Sequence, residues 1–320
     1  MRFLLIVLLT MTSSFAQSTT LLNQTLTLEV AGGRLHGSLL MPKTEQPLPV
    51  ALLIAGSGPT DRNGNNPMGR NDSLKRLAQG LARQGVASLR YDKRGVGEGL
   101  ALAPDERDLS VEAYVADAAG WVRKLQEDPR FASVILIGHS EGALVASLVA
   151  AVQPVAALIT LAGSGRPIDQ VLREQLQGRL PPALLASSHF LIDELTAGRT
   201  HQPVPEPLEV LFRPSVQPYL ISLFRQDPAR AFAEVTAPAL IIQGTHDMQV
   251  GMKDAQALKH SRPEAELAPI AGMNHVLRIV PAEPDRQIAS YNQPDLPIAR
   301  ALTERICQFL DEHGITPASS

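Results

Sequence analysis

A five-residue motif, Gly138-His139-Ser140-Glu141-Gly142, has the residue types and spacing that point most directly to chemistry. Glycines two residues before and two residues after a serine fit a very tight turn, because such a turn leaves no room for Cβ atoms beside the serine. Between a buried strand and a helix, this turn presents the serine hydroxyl as a nucleophile. The motif therefore predicts a nucleophile elbow with Ser140 at its tip and Gly138 and Gly142 as its glycines.

A serine hydroxyl attacks a carbonyl carbon only when a base accepts its proton, and a histidine oriented by a carboxylate is the usual base. Asp247 follows an apolar run that ends at Gln243, and His275 follows the next apolar run, which ends at Ile270. Residues just past the carboxyl ends of parallel strands share one crevice. We therefore expect a triad in which Ser140 is the nucleophile, Asp247 the orienting acid and His275 the base.

Three other residues are alternatives for the acid and the base. Asp254 is the second candidate for the acid, although it lies inside the following helical pattern rather than in a loop. His246 stands at a strand end, where its position beside Asp247 favours a role in shaping the loop. The side chain of His139 is expected to point away from the crevice and to pack or form a hydrogen bond.

The backbone N–H groups of Ser57 and Glu141 are the predicted oxyanion hole. Glu141 opens the helix after the nucleophile, where N–H groups have no partner within the helix. Ser57 lies in Gly56-Ser57-Gly58, directly after the apolar run 49–55, and small neighbours let a substrate oxygen approach its N–H. A plain glycine turn without a binding role is the other interpretation of this loop.

Hydrophobic periodicity predicts strands that alternate with helices over most of the chain. The predicted strands cover residues 22–30, 34–41, 49–55, 86–91, 134–137, 155–161, 239–243 and 266–270. The predicted helices cover residues 73–84, 108–127, 143–150, 168–177, 183–195, 215–232, 253–260 and 297–313. The first two strands form a hairpin and are expected to be antiparallel edge strands.

This alternation predicts an α/β protein with a doubly wound, mostly parallel sheet of about eight strands. The rhythm is interrupted after residue 163, where helices follow one another, and resumes at residue 238. We expect one domain whose core comprises residues 17–164 and 233–320, with a helical cap inserted at 165–232. The cap is expected to cover the acyl pocket.

The first sixteen residues have the pattern of a signal peptide. Arg2 supplies the positive charge, residues 3–11 form an apolar stretch, and Ser14-Phe15-Ala16 fits the small-x-small cleavage site. The apolar stretch is too short to span a bilayer, so no stable membrane anchor is predicted. We therefore expect an exported protein, periplasmic or extracellular, in which Cys307 has no intrachain partner for a disulfide.

Composition excludes several classes of partner. The chain has 320 residues, 44% of them hydrophobic and 19% charged, with a formal net charge of −3, which is typical of a globular protein. No basic block is present, so no nucleic-acid partner is expected. A small-molecule ester is the predicted partner, and neither acyl length nor oligomeric state can be predicted from the sequence.

The loop after the first predicted parallel strand resembles a calcium loop in part. Asp61, Asn63, Asn65 and Asp72 stand at positions 1, 3, 5 and 12 of that register, but Asn66 replaces the glycine that the calcium loop requires. We therefore predict no metal, and the proposed chemistry requires no cofactor.

Four motifs together resemble the α/β-hydrolases of the serine-aminopeptidase-like group. They are the elbow, the stretch Tyr91-Asp-Lys-Arg-Gly-Val-Gly97, the stretch Gly244-Thr-His-Asp-Met-Gln-Val250 and the stretch Gly272-Met-Asn-His275. The group is similar to monoacylglycerol lipases and to cinnamoyl or feruloyl esterases. The resemblance extends from about residue 22 to residue 313. It implies the α/β-hydrolase fold, the triad roles given above, and a structural role for the Asp92–Gly95 turn behind the oxyanion loop.

One departure from this group concerns the oxyanion loop. Many members have His-Gly at the end of the strand before it, whereas this chain has Ala55-Gly56. The change keeps the backbone donor but removes a side chain that helps to fix the loop.

The expected function is therefore that of a serine esterase that works through an acyl-Ser140 intermediate. Cleavage of amides or peptides is the nearest alternative, because the same triad serves both reactions. A binding module with an inactive site is a further alternative from another class.

Overall fold

An eight-stranded sheet forms the centre of the computed structural model, which describes residues 20–315. In space the strands follow the order β1-β2-β4-β3-β5-β6-β7-β8. The first three are joined by antiparallel pairing and the remaining five by parallel pairing, so the predicted fold class is confirmed. The strands are β1 (Leu21–Val30), β2 (Gly33–Pro42), β3 (Leu48–Ile54), β4 (Ala87–Tyr91), β5 (Phe131–His139), β6 (Ala157–Leu161), β7 (Ala239–Gly244) and β8 (Glu266–Ile270).

Helices cover both faces of this sheet and one end of it. They are α1 (Ser73–Arg83), α2 (Val111–Gln126), α3 (Glu141–Val152), α4 (Ile168–Leu176), α5 (Pro182–Thr196), α6 (Glu209–Phe212), α7 (Gln217–Phe224), α8 (Pro228–Ala233), α9 (Met252–Ser261), α10 (Pro284–Ser290) and α11 (Arg300–Glu312). Ser110 caps α2 as the sequence predicts, since its side chain accepts a hydrogen bond from the backbone N–H of Ala113.

Strand β3 shows why the parallel strands are apolar throughout. Val50, Leu52 and Ile54 pack into the core beneath α2 and α3, whereas Ala51 and Leu53 pack into the core beneath α1 and α11. Successive side chains of a strand point to opposite faces, so a strand covered on both faces has no polar position. This is why the run contains no alternation that would mark a solvent-exposed face.

Two of the predicted elements differ from the structure. Strand β2 is not an edge strand, because it lies between β1 and β4. The predicted helix 215–232 is two helices, α7 and α8, which are separated at residues 225–227. Asp227 caps α8 by accepting a hydrogen bond from the N–H of Arg230, and Pro228 occupies the first turn, so a new helix begins there.

Helices α4 to α7 carry an apolar cluster of their own, separate from the two cores at the sheet. Leu191, Ile192 and Leu195 of α5 are its buried centre, together with Phe212 of α6. Helix α8 instead packs against α3 and α9. We refer to residues 165–224 as the cap.

None of the helices within residues 20–315 combines the length and the apolar character needed to cross a bilayer. The signal-peptide prediction falls on residues 1–16, which lie outside the described residues, and stays a prediction.

Candidate active site

Ser140 occupies the sharp turn between β5 and α3. Its backbone has φ 55° and ψ −122°, a conformation that costs a non-glycine residue about 1–3 kcal/mol. The turn is held by the Ser140 N–H, which donates to the carbonyl oxygen of Leu161 at 2.8 Å. A Cβ on Gly138 would lie 2.1 Å from the carbonyl oxygen of Gly142, and one on Gly142 would lie 2.2 Å from that of Ile54. Both positions therefore accept only glycine.

Asp247 and His275 are joined by a hydrogen bond. His275 Nδ1 lies 2.8 Å from Asp247 Oδ2, and the two side chains are 6% and 0% exposed. The backbone N–H groups of Gln249 and Val250 donate to Asp247 Oδ1 at 2.8 and 3.0 Å. Burial favours the neutral acid, but His275 and these donors outweigh it and hold the pKa of Asp247 below its usual value. The ionised carboxylate accepts a hydrogen bond from Nδ1–H of the neutral ring, so the lone pair of His275 Nε2 is free to accept a proton.

His139 connects the elbow to the segment that carries His275. Its Nε2 lies 2.8 Å from the backbone carbonyl oxygen of His275, and the two rings are 4.9 Å apart between centroids. Burial, and secondarily the proximity of His275, lowers the pKa of His139 to about 4, so its ring is neutral at pH 7. Because a carbonyl oxygen only accepts, the Nε2–H tautomer of His139 is the one that makes this bond.

The structure brings Asp247 and His275 together. Ser140 is adjacent in the chain to His139, whose ring contacts the backbone of His275. No hydrogen bond joins the Ser140 hydroxyl to the His275 ring within residues 20–315. In enzymes without a bound substrate, this bond is often long and shortens only in the substrate complex.

The oxyanion loop, residues 56–58, lies directly against the elbow. A Cβ on Gly56 would be 3.1 Å from the Cβ of Ser140, so glycine lets the loop approach the nucleophile. Ser57, Ser140 and Glu141 line the same cavity. Neither the Ser57 nor the Glu141 N–H donates a hydrogen bond to any other described residue. Both amides are therefore available to an oxygen atom in the cavity.

The cavity has a volume of about 990 Å³ and lies between the sheet and the cap. Most of the surrounding side chains are apolar and come from both parts of the chain. They are Pro59, Val96, Leu100, Ala103, Pro104, Leu109, Tyr114, Ile168, Val171, Leu172, Val210, Leu211, Val216, Tyr219, Leu220, Leu223, Phe224 and Val250. Ser140 lines this cavity, whereas Asp247 and His275 do not.

The acidic side chains at the cavity wall already have partners, with one exception. Glu106 binds Arg213 of the cap, with 2.6 Å between Arg213 Nε and Glu106 Oε1, and it also accepts from the Ser215 hydroxyl. Asp105 binds Arg107 at 2.7 Å. Glu141 is the exception, since its Oε2 is buried and has no partner among the described residues.

Asp254, the alternative acid, lies elsewhere. Its carboxylate is fully buried and binds Arg166 Nε and Nη2 at 3.0 and 2.9 Å, and it also accepts from Ser164 and Gly165. Asp254 therefore holds the beginning of the cap to α9. His246 Nδ1 contacts the carbonyl oxygen of Val280 at 2.7 Å, which fixes the loop after β7.

The polar loop before α1 is held by its own hydrogen bonds. Asp61 Oδ1 accepts from the N–H groups of Asn63 and Asn65 at 2.8 and 2.9 Å. Arg62 binds Asp92 Oδ2 at 2.7 Å, so the turn after β4 braces this loop. Within residues 20–315 no group of three or more acidic, histidine or cysteine side chains is arranged to hold a metal ion.

Sequence reasoning assigned the Asp92–Gly95 turn a structural role behind the oxyanion loop but did not single out Lys93, and it missed the contact that His139 makes with His275. Lys93 is buried beneath the oxyanion loop. Lys93 is the second of three consecutive charged residues that follow the buried strand β4, and this run was the only local signal for it.

Comparison with known proteins identifies the family of this chain and relatives with the same fold. The model of the Alpha/beta hydrolase family matches residues 51–290. The esterase EstD of Thermotoga maritima is 30% identical over 247 residues, which cover 76% of this chain and 58% of that protein. The chain thus spans less than two thirds of the length of that relative.

Two solved structures have the same fold over most of their length. Est1E from Butyrivibrio proteoclasticus, with bound ferulic acid, is 19% identical, with a TM-score of 0.63 and coverage of 90% of this chain and 98% of that one. The α/β hydrolase GrgF from Penicillium sp. sh18 is 19% identical, with a TM-score of 0.61 and coverage of 91% and 98%.

Proposed function

This chain belongs to the α/β-hydrolase family, and from that membership we propose that it is a serine esterase with the triad Ser140, Asp247 and His275. The observation that carries the proposal is the buried hydrogen bond between Asp247 and His275, 2.8 Å long, in a chain whose strained serine turn contacts the same segment through His139. The name of the Thermotoga relative, an esterase, supports the reaction class.

In the proposed reaction the Ser140 oxygen attacks the carbonyl carbon of the ester, and its proton moves to Nε2 of His275. The negative oxygen of the tetrahedral intermediate accepts hydrogen bonds from the N–H groups of Ser57 and Glu141. The intermediate collapses, and the alcohol leaves with the proton from Nε2. Water then attacks the carbonyl carbon of the acyl-Ser140 ester and gives a proton to Nε2 of His275. When this second intermediate collapses, the Ser140 oxygen leaves with that proton, and the carboxylic acid is released. Asp247 keeps the ring oriented and stabilises its protonated form.

The apolar cavity favours esters with a sizeable apolar acyl or alcohol group. A volume of about 990 Å³ is at the upper end of the usual range for small-molecule sites, and its wall is mostly apolar. Burying each methylene group contributes about 0.8 kcal/mol, so binding strengthens as the chain lengthens until the cavity is filled.

The arrangement of acidic residues favours esters over peptides with a free amino terminus. A site for an ammonium group needs an accessible carboxylate, but Glu106 and Asp105 are paired with arginines, and Glu141, which has no partner among the described residues, is buried beside the proposed oxyanion hole. In the cap, Asp193 and Glu194 are likewise bound to arginines, and neither lines the cavity. Peptide cleavage is therefore the second candidate.

We also propose that the protein is exported, on the basis of residues 1–16. The test is expression of the full chain in a bacterium, followed by fractionation and N-terminal sequencing. A mature chain that begins at Gln17 outside the cytoplasm is expected, and an uncleaved cytoplasmic chain would contradict the proposal.

A panel of p-nitrophenyl esters from acetate to palmitate tests the activity. Wild type is expected to hydrolyse them, and Ser140→Ala should lower kcat by at least 10³-fold, because the nucleophile is lost. Ser187→Ala is the matched control, since Ser187 lies in the cap outside the cavity, and it should keep the wild-type rate.

A fluorophosphonate probe followed by peptide mass spectrometry identifies the reactive serine without a substrate. The label is expected on the peptide that contains Ser140. An inactive wild type, or an active Ser140→Ala variant, would refute the proposal. Faster hydrolysis of aminoacyl amides than of any ester would favour the second candidate.

A further inference from the structure

Lys93 is a buried cation that donates hydrogen bonds to the oxyanion loop. It follows β4 by two residues, and it is 3% exposed. Its Nζ donates to the carbonyl oxygens of Gly56 at 2.5 Å and of Gly58 at 3.1 Å. The two acceptors flank Ser57, whose N–H is one of the two proposed oxyanion donors.

Because the peptide bond is planar, these contacts also determine the direction in which the Ser57 N–H points. In a trans peptide the C=O of one residue and the N–H of the next point in opposite directions. The Gly56 carbonyl points to Lys93, so the Ser57 N–H points away from it. The loop lies against Ser140 on one side and Lys93 on another, and Ser57 and Ser140 line the same cavity. Lys93 therefore sets the direction of this donor.

Thr60 donates to the carbonyl oxygens of Ser57 and Gly58, but within the described residues only Lys93 makes a hydrogen bond to the Gly56–Ser57 peptide itself. Gly58 has φ +65°, and a Cβ at this position would meet nothing within 4 Å. With glycine on both sides of Ser57, rotation of the Gly56–Ser57 peptide meets little steric resistance. A rotated peptide would present a carbonyl oxygen where the oxyanion forms, and the two like charges would repel each other.

The surroundings of Lys93 fit a cation. Its Nζ lies 5.0 Å from the centroid of the Tyr114 ring, at cation–π distance. Burial lowers the pKa of Lys93, and the carboxylate of Glu141 opposes this effect. A buried ammonium is costly to desolvate, so an apolar residue such as methionine would serve packing alone better.

We propose that Lys93 is a positioning residue that orients the Ser57 N–H toward the oxyanion through the Gly56 and Gly58 carbonyls. This role rests on the proposed esterase function.

The variants Lys93→Met and Lys93→Gln test this role. Lys93→Met keeps the length of the side chain but loses the donors, and we expect kcat to fall about 10- to 100-fold while KM changes less than threefold, because the loss appears only in the transition state. Lys93→Gln keeps an N–H donor and should retain more of kcat than Lys93→Met. If Lys93→Met fails to fold, the comparison of kcat between Lys93→Gln and wild type still tests the role of Lys93.

Thionoesters provide a readout that a loss of stability does not change. Sulfur is a poorer hydrogen-bond acceptor than oxygen, so an intact oxyanion hole favours the oxoester. In Lys93→Met the ratio of kcat/KM for oxoester and thionoester is expected to fall by at least fivefold. The control is Arg262→Met, which removes another buried cation that lies over an aromatic ring, that of Phe232, 6.0 Å away. The control should lower the Tm and keep the ratio.

Crystal structures of wild type and Lys93→Met show the peptide directly, whatever the activity. A rotated or disordered Gly56–Ser57 peptide in the variant is expected. An unchanged peptide, an unchanged thionoester ratio, or a ratio that changes equally in Arg262→Met would overturn the role of Lys93. An inactive wild type would refute the esterase proposal alone, because the crystal structures still test the orientation of the peptide.

Discussion

Asp247 and Asp254 show how two carboxylates after the same strand come to differ in role. Both are fully buried, but Asp247 accepts from His275, whereas Asp254 accepts from Arg166 and the backbone at the start of the cap. The difference is position: Asp247 lies in the loop after β7, at the carboxyl edge of the sheet, and Asp254 lies in α9. Residues just past the carboxyl ends of parallel strands share one crevice. This rule depends only on the order of strands and loops, so the sequence alone favours Asp247 over Asp254 as the catalytic acid.

His139 makes the folded state sensitive to mild acid. Its pKa is lowered to about 4 in the folded protein, against about 6.5 in an unfolded chain. Between these values the unfolded chain binds the proton and the folded protein does not, so stability is lost as the pH falls through this window. From pH 7 to pH 4.5 this linkage amounts to about 2–3 kcal/mol.

In His139→Gln this dependence is expected to disappear, since glutamine does not titrate. The free energy of unfolding from urea titrations at pH 7 and pH 4.5 measures it in wild type and in the variant. The difference between the two pH values should be smaller by about 2 kcal/mol in His139→Gln. His260→Gln, at an exposed position of α9, is the comparison, and an equal reduction in both variants would contradict the assignment to His139.

At the scale of elements, the strand-turn-helix unit around Ser140 was predictable because its causes are local. Positions 138 and 142 require glycine, because backbone atoms lie within 2.2 Å of where a Cβ atom would be. The two glycines of the motif therefore indicate the tight turn from the sequence alone. The break between α7 and α8 also had a local signal, Asp227-Pro228, which helical periodicity concealed. The only local signal for Lys93 was its place in a charged run after a buried strand, which does not identify its partners, because they lie 35 and 37 residues away in a loop.

The strained backbone at Ser140, which exposes the hydroxyl at the tip of the elbow, is expected to lower the free energy of unfolding. Ser140 has φ 55°, where glycine fits and residues with a Cβ are strained. Ser140→Gly and Ser140→Ala both remove the hydroxyl, so the difference between them isolates the backbone. We expect Ser140→Gly to be more stable than Ser140→Ala by about 1 kcal/mol, because relief of strain exceeds the entropy cost of glycine.

Ser147, in the middle of α3, provides the opposite case. There Ser147→Gly should be less stable than Ser147→Ala by about 1 kcal/mol, as in any helix interior. Urea unfolding of the four variants measures both differences. If the glycine variant is the less stable one at both positions, the elbow is not strained.

At the scale of the molecule, the cavity belongs neither to the sheet nor to the cap alone. Leu109 and Tyr114 line it from the core, and Leu172 and Leu220 line it from the cap. The ion pair of Glu106 with Arg213 joins the two parts at its wall. The sequence predicts the cap as an interruption of the strand-helix rhythm. The cavity itself depends on how the cap helices pack on the core, which residue spacing does not encode.

If the acyl chain occupies this cavity, filling it should shorten the preferred chain. Leu172→Trp places a larger side chain in the cavity from α4, whereas Leu184→Trp changes a half-buried leucine of α5 that does not line it. Each excluded methylene loses about 0.8 kcal/mol, or roughly fourfold in kcat/KM. If Leu172→Trp removes the space for two methylene groups, kcat/KM for p-nitrophenyl decanoate should fall by roughly tenfold or more. The value for p-nitrophenyl acetate should change little. Leu184→Trp should keep the wild-type profile, and the same profile in both variants would mean that the acyl chain lies outside this cavity.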